Sequence, residues 1–255
     1  MRLSTLFPTA VAILISLCPC RGQQLDPSGE PSSPNVNWRG LLLQSGLFLG
    51  IEHGFRFATE PGTRAEIKGR FFHDWGGAIR GLGGWRDSDP FLVNYIGHPL
   101  QGAVTGHIFT QNYRPGRMTE FGFNRQYWSS RLKAMAWSTA YSVQFELGPV
   151  SEASLGNVGS AALPGTMGYV DLIVTPTAGM GVQVLEDALD HFVVRPLEKR
   201  FSWQPAVIAM RGILNPARSF ANALRWKVPW HRDTRPGVRS LSTRTEVQRS
   251  GVAVD

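Results

Sequence analysis

Residues 94–109, NYIGHPLQGAVTGHIF, place Gly102 and Gly106 one helical turn apart inside an otherwise apolar pattern. Glycine weakens a helix taken alone, so its repeat at that spacing is explained by a second backbone lying close against the first. Residues 38–57 carry the same device at Gly46, Gly50 and Gly54. Both stretches ask for helix packed on helix, and the expected fold is mainly α, a bundle-like single domain.

Other segments agree with that frame. Thr63 and Glu66 form a capping box ahead of Ile67, Phe71 and Trp75 at four-residue spacing, which predicts a helix that the Gly-rich GGAIRGLGGWRDSDP ends. A further helix is expected from Pro99 to about Gln111, with His98 as its cap or just before it. FNRQYWSSRLKAMAWSTAYSVQFELG predicts a long helix that stops before Pro149. In GYVDLIVTPTAGMGVQVLEDALDHFVV the helical pattern meets Pro176, which either kinks one helix or starts another. Asn215 followed by Pro216 reads as an N-cap and a first-turn proline.

Residues 1–22 have a basic start, an apolar run and small residues at the end, and are expected to be a secretory signal peptide. Both cysteines, Cys18 and Cys20, lie inside it, so a mature chain starting near Gln23 would have no thiol chemistry or disulfide. Residues 23–37 read as a flexible leader, 38–194 as the helical domain, 195–232 as a basic amphipathic arm and 233–255 as a disordered tail. No second membrane span is expected. From residue 195 onward there are twelve Lys or Arg against four acids, whereas residues 23–194 hold twelve against fifteen. For an exported, periplasmic or envelope-associated protein, nucleic acid is excluded as a partner; an anionic membrane surface or an envelope protein fits the arm. Arg218, Phe220, Arg225, Trp226, Lys227 and Trp230 are the expected contact residues. A solvated arm fits the same composition.

Polar residues recur at helical offsets where a plain core would not hold them. His98, Gln101 and Thr105 share one face, which Asn94 joins if the helix begins earlier; Ser138, Ser142 and Glu146 share another; Asp171 and Thr175 stand four apart. If these faces meet, Glu146 or Asp171 would orient His98 for acid or base work. The alternative is a buried hydrogen-bond network with every member paired. Asp87 and Asp89 with His98 offer possible ligands, but an exposed turn explains DSD, so no metal and no cofactor is assigned. His53, His73 and His107 have no partner at ligand spacing, and no G-x-S-x-G elbow or dinucleotide fingerprint occurs.

The blocks WRDSDPFLVNYIGHPLQGAVTGHIF, YWSSRLKAMAWSTAYSVQFELGPVSEASLGNVG, VDLIVTPTAGMG with EDALDHF, and NPARSFANALRWKVPWHRDTRP resemble a family of exported bacterial proteins of unknown function, of the acidobacterial type. The middle blocks are also similar to a wider group of envelope proteins with a His-Pro segment, a Glu-Gly-x-x-Ser-Glu-like turn and an Asp-x-x-x-Thr-Pro segment. The resemblance implies a compartment and a co-occurring polar set: Asp89, Asn94, Gln101, Ser142, Ser151, Glu152 and Thr175 around His98, Glu146 and Asp171. It implies no reaction. Two functions are carried forward: a non-catalytic envelope protein bound to a membrane or partner, and a hydrolase or transferase on a lipid or cell-wall component using His98 with Glu146 or Asp171.

Overall fold

The order of elements follows from where glycine, proline and capping residues fall. In the computed structural model, which describes residues 35–59, 63–64, 70–87, 89–155, 167–201 and 203–238, the chain is mainly helical. Among the described residues the β pairing recorded is an isolated antiparallel bridge between Val36 and Tyr113. The elements are α1 (Trp38–Thr59), α2 (Phe71–Gly81), α3 (His98–Asn112), α4 (Arg114–Arg117), α5 (Arg125–Leu147), α6 (Val170–Leu189), α7 (Arg195–Arg200), α8 (Gln204–Ile213) and α9 (Pro216–Leu224). The signal, leader and tail expectations lie outside the described residues, apart from residues 35–37 and 233–238, which are not loose: Val36 and Asn37 pair with Tyr113 and Asn112, Asp233 and Arg235 form ion pairs, and Val238 is buried. So does most of the Thr63 box: Thr63 and Arg64 are helical, and the described α2 starts only at Phe71.

α3 is the axis of the fold. Every residue in it except Leu100 is buried, with α1, α5, α6 and α9 packed around it. Its glycines do what their spacing predicts: a Cβ on Gly102 would overlap the carbonyl of Thr175, and one on Gly179 would overlap the backbone of Gly102. Gly106 gives its space to the side chain of Gln183, whereas a Cβ on Gly46, Gly50 or Gly54 of α1 would meet nothing within 4 Å among the described residues, so the second backbone expected against them is not there. Leu41, Phe48, Val104, Ile108, Phe109, Tyr141, Phe145 and Leu224 fill the gaps between α1, α3, α5 and α9.

His98 is not a cap. Residues 91–112 form one continuous helix in which Val93–Gly97 is π-helical, and the His98 N–H bonds back to the Val93 carbonyl. That wider turn falls directly before Pro99, which has no N–H to give to an α-helical ladder. The same solution recurs after α6, where Asp190–Val194 is π-helical and the Arg195 N–H reaches the Asp190 carbonyl just ahead of Pro196. Pro176 does not start a new helix; it sits inside α6.

Caps define the other ends. Asn124 begins α5, its Oδ1 accepting from the Tyr127 N–H at 2.9 Å. At α9 the expected cap is replaced: Asn215 makes no side-chain cap bond, and Glu186 of α6 accepts instead from the Ala217 and Arg218 N–H groups at 2.7 and 3.0 Å. A carboxylate at a helix N-terminus also meets the positive end of the dipole. α9 closes with Trp226 at φ 61°, in the slot that usually takes glycine, while the Lys227 and Trp226 N–H groups bond to Asn222 and Ala223 carbonyls at 2.9 Å each.

The stretch read as an arm folds back on the body. Arg218 pairs with Asp187, Arg232 with Asp190 at 2.8 Å, and the ring of Phe220 lies 5.5 Å from that of Phe48, while Arg225 pairs within the stretch with Asp233. Trp230 is half-buried. Of the six contact residues expected there, Trp226, Lys227 and one edge of Phe220 face solvent. No helix among the described residues is long and apolar enough to cross a membrane.

Candidate functional site

One end of α3 gathers carboxylates from three other parts of the chain. The loop before it is held by backbone pairing with the start of α6: Gly83 N–H to Met167 O at 3.0 Å, Tyr169 N–H to Gly84 O at 3.1 Å and Val170 N–H to Trp85 O at 3.2 Å. Gly168 makes room, since a Cβ there would overlap the Trp85 and Arg86 backbone. This docking brings Asp87 and Asp89 to the first turn of α6, where Asp171 stands. Asp87 Oδ1 accepts from the Asp89 N–H at 3.0 Å and from Asn94 Nδ2 at 2.7 Å, so the DSD turn is built inward and both acids are half-buried.

Beyond α5 the chain turns back on itself. Ser151 and Ser154 cap each other, with N–H to Oγ distances of 2.8 and 3.1 Å, and the Glu152 and Ala153 N–H groups bond to the Phe145 and Glu146 carbonyls. Glu152 thereby returns beside Glu146 and forms an ion pair with Arg56 of α1. Ser151 is thus a turn-forming residue, and Ser142 donates to the Asp171 carbonyl at 3.2 Å.

His98 sits among these groups, buried. Its Nδ1 lies 3.2 Å from Gln101 Oε1 and 3.1 Å from Thr175 Oγ1; its Nε2 lies 3.3 Å from Asp171 Oδ1. The residues His98, Glu146 and Asp171 therefore share one region, with Asp89, Asn94, Gln101, Ser142, Ser151, Glu152 and Thr175 around them. Asp87, Asp89, Glu146, Glu152 and Asp171 line a small enclosed space, and Asp87 and Asp89 also line an open groove together with Trp85, Arg86, Phe91, Asn94, Tyr95 and Val170; His98 lines neither.

Burial dominates the electrostatics here. It pushes Asp171 up to about 10, helped by its hydrogen bond with Asp87 and by the charge of Glu146. It pushes Glu146 up to about 8, with Asp89 adding to the shift and Arg56 opposing it. Burial also opposes charge on Asp87, but hydrogen bonds from Asp171, Asn94 and the Asp89 N–H outweigh it and leave Asp87 below the usual carboxylate range. Burial lowers His98, against the pull of Gln101 and Asp87.

Three carboxylate oxygens in this cluster have no hydrogen-bond partner: Asp87 Oδ2, Glu146 Oε1 and Asp171 Oδ1. Other members of the cluster are paired, so the alternative of a hydrogen-bond network describes it in part. Asp89, His98 and Asp171 each present one ligand-type atom within 4.8 Å of the other two.

The other end of α3 holds a second cluster that the sequence reading missed. His107 Nε2 lies 2.9 Å from Glu186 Oε2, and Asp187 accepts from Tyr127 OH at 2.9 Å and Arg131 Nε at 2.7 Å, besides its pairing with Arg218. Burial opposes the Asp187 charge, yet Arg131 and Arg218 hold its carboxyl down to about 2. Asp190 and Glu198 continue the ladder with Arg232, Arg235 and Arg211. Here every carboxylate meets a donor, as a structural ion-pair network requires. Glu52 was also missed; it accepts a 2.5 Å bond from Tyr141 OH. No family model, no curated protein and no solved structure matches the chain.

Proposed function

We propose that the protein is a hydrolase or transferase acting on a lipid or cell-wall component in the bacterial envelope, with His98, Asp171 and Glu146 as its reactive centre. The observation that carries this reading is the meeting of His98 Nε2 with Asp171 Oδ1 at 3.3 Å beside carboxylate oxygens that have no partner. Gln101 and Thr175 hold the imidazole by Nδ1, so Nε2 and Asp171 form the couple that would move a proton or activate water. The neighbouring groove, lined by Trp85, Phe91 and Tyr95, shares Asp87 and Asp89 with the enclosed space and suits a substrate with an apolar or ring-shaped part and a polar reacting end.

A membrane setting has its own support, from α1 more than from the arm. Leu43, Leu47, Ile51 and Phe55 stand four apart and are exposed, Phe55 by 69 %, and Gly46, Gly50 and Gly54 have open space beside them. Phe91, Leu92 and Ile96 add exposed apolar surface at the groove. Such surface is unusual on a protein with no partner, and it favours the non-catalytic peripheral reading as much as the catalytic one.

The test incubates the full chain with anionic phospholipid vesicles and with purified peptidoglycan, and follows released fragments by mass spectrometry. Wild-type chain is expected to release product from one of them, and H98Q and D171N to lower turnover by about 100-fold or more while keeping their helical circular dichroism. No product from either material, or full activity in H98Q, would overturn the reading. Sedimenting the same vesicles reads the membrane contact: a chain left wholly in the supernatant argues against it.

A further inference from the structure

We propose that Asp89, His98 and Asp171 bind a divalent first-row cation, such as Mn²⁺ or Zn²⁺, with Glu146 and Asp87 supplying further oxygen ligands. The inference rests on the choice of site made above and needs no turnover to be tested.

The geometry comes first. Two ligands on opposite sides of one cation are separated by about 4 to 5 Å, since the individual bonds run about 2.0 to 2.5 Å. Asp89, His98 and Asp171 offer their atoms within 4.8 Å of one another, which one ion can span.

Unpartnered oxygens supply the second, independent observation. Glu146 is 5 % exposed and Asp171 4 %, both line the enclosed space, and Glu146 Oε1 and Asp171 Oδ1 face no donor. Asp87 Oδ2, from the same lining, is in the same position. Buried carboxyl oxygens without a donor are costly unless the groups are protonated or share a cation, and several around one space suit a shared cation.

His98 shows the third feature. An Nδ1–H donated to Gln101 Oε1 leaves Nε2 as a lone pair, and that lone pair faces Asp171 Oδ1 without the alignment of a hydrogen bond. Nε2 and Asp171 Oδ1 stand 3.3 Å apart, a separation that two neighbouring ligands of one cation span. A ligating imidazole whose other nitrogen donates to a side-chain carbonyl is the usual second layer of support around a metal. One imidazole among carboxylates points to Mn²⁺ or Zn²⁺ ahead of Mg²⁺ or Ca²⁺, which favour all-oxygen sets.

The experiment treats the full chain with chelator, removes it, and titrates Mn²⁺ while the free-ion electron paramagnetic resonance signal is followed, with Zn²⁺ and Ca²⁺ as competitors. One Mn²⁺ per chain is expected, displaced by Zn²⁺ more readily than by Ca²⁺. D171N and H98Q should bind at least about 10-fold more weakly, and Q101L about 10-fold more weakly through loss of ring orientation. Should H98Q fail to fold, D89N changes a half-buried loop residue and carries the same expectation. An unchanged Mn²⁺ signal with wild-type chain overturns the proposal, and so does undiminished binding in D171N and D89N. Stoichiometric binding without turnover on any substrate supports the site and removes only the catalytic reading. Turnover that survives chelation, with no Mn²⁺ bound, removes the cation and leaves the catalytic reading in place.

Discussion

Glu52 shows how a single residue can set the pH dependence of the whole fold. Burial lifts its carboxyl from the ordinary 4.5 to about 8, against the hydrogen bonds from Tyr141 and Gln101. The folded chain thus keeps this proton up to about pH 8, whereas the unfolded chain releases it near 4.5. Between those values the folded state binds more protons, so this group makes stability fall as pH rises. E52Q keeps the shape and an acceptor for Tyr141 but cannot ionise. Urea unfolding at about pH 5 and about pH 9 should show E52Q gaining on wild type at the higher pH. Equal differences at both pH values would contradict the assignment. Nothing in the sequence marked Glu52, because its partner Tyr141 lies 89 positions away on another helix.

At the scale of elements, the crossing of α3 and α6 positions the site. Gly102 lies against the Thr175 carbonyl and Gly179, and Thr175 in turn holds His98. G102A puts a methyl group where only backbone could move aside, and should cost about 1–3 kcal/mol or more in urea unfolding. An unchanged midpoint would show that the crossing is looser than described. This crossing was legible from Gly102, although the same glycine spacing in α1 faces open space and so does not by itself report a close backbone; α5 was legible too, since its length and Asn124 cap are local. Other features left no local mark. The π turn before Pro99 shifts the register by one residue, and only the proline hints at it. The Asp87 loop is docked by backbone bonds to residues 167–170, so DSD resembles an ordinary exposed turn. Asn215 looks like a cap, but Glu186 from another helix supplies the capping oxygens. The basic residues of the C-terminal stretch resemble a solvated edge because Asp187, Asp190 and Glu198, their partners, are distant in sequence or on other elements.

Across the whole molecule, α3 carries two histidine clusters nine residues apart, about 13 Å along the helix. They are built on opposite plans. Around His107, each of Glu186, Asp187 and Asp190 meets arginine, tyrosine or backbone donors, so the charges hold helices together. Around His98, carboxylates from the DSD loop, α5 and α6 face one small space with oxygens unpartnered. A structure gains nothing by burying several carboxyls round one space, where desolvation penalises their ionisation, whereas a binding or reactive site needs them. The central claim is therefore that the His98 cluster is kept for its chemistry and weakens the fold that holds it. The most direct measurement is thermal unfolding of E146Q in chelator beside wild type. Replacing the carboxyl with an amide removes the charge that Glu146 takes on above about pH 8, and keeps a donor for the neighbouring carboxylates at every pH. E146Q should unfold at the same temperature or about 2–4 °C higher, while losing Mn²⁺ binding and turnover. A fall of several degrees would show that Glu146 stabilises the fold as part of a satisfied network, and would contradict the account.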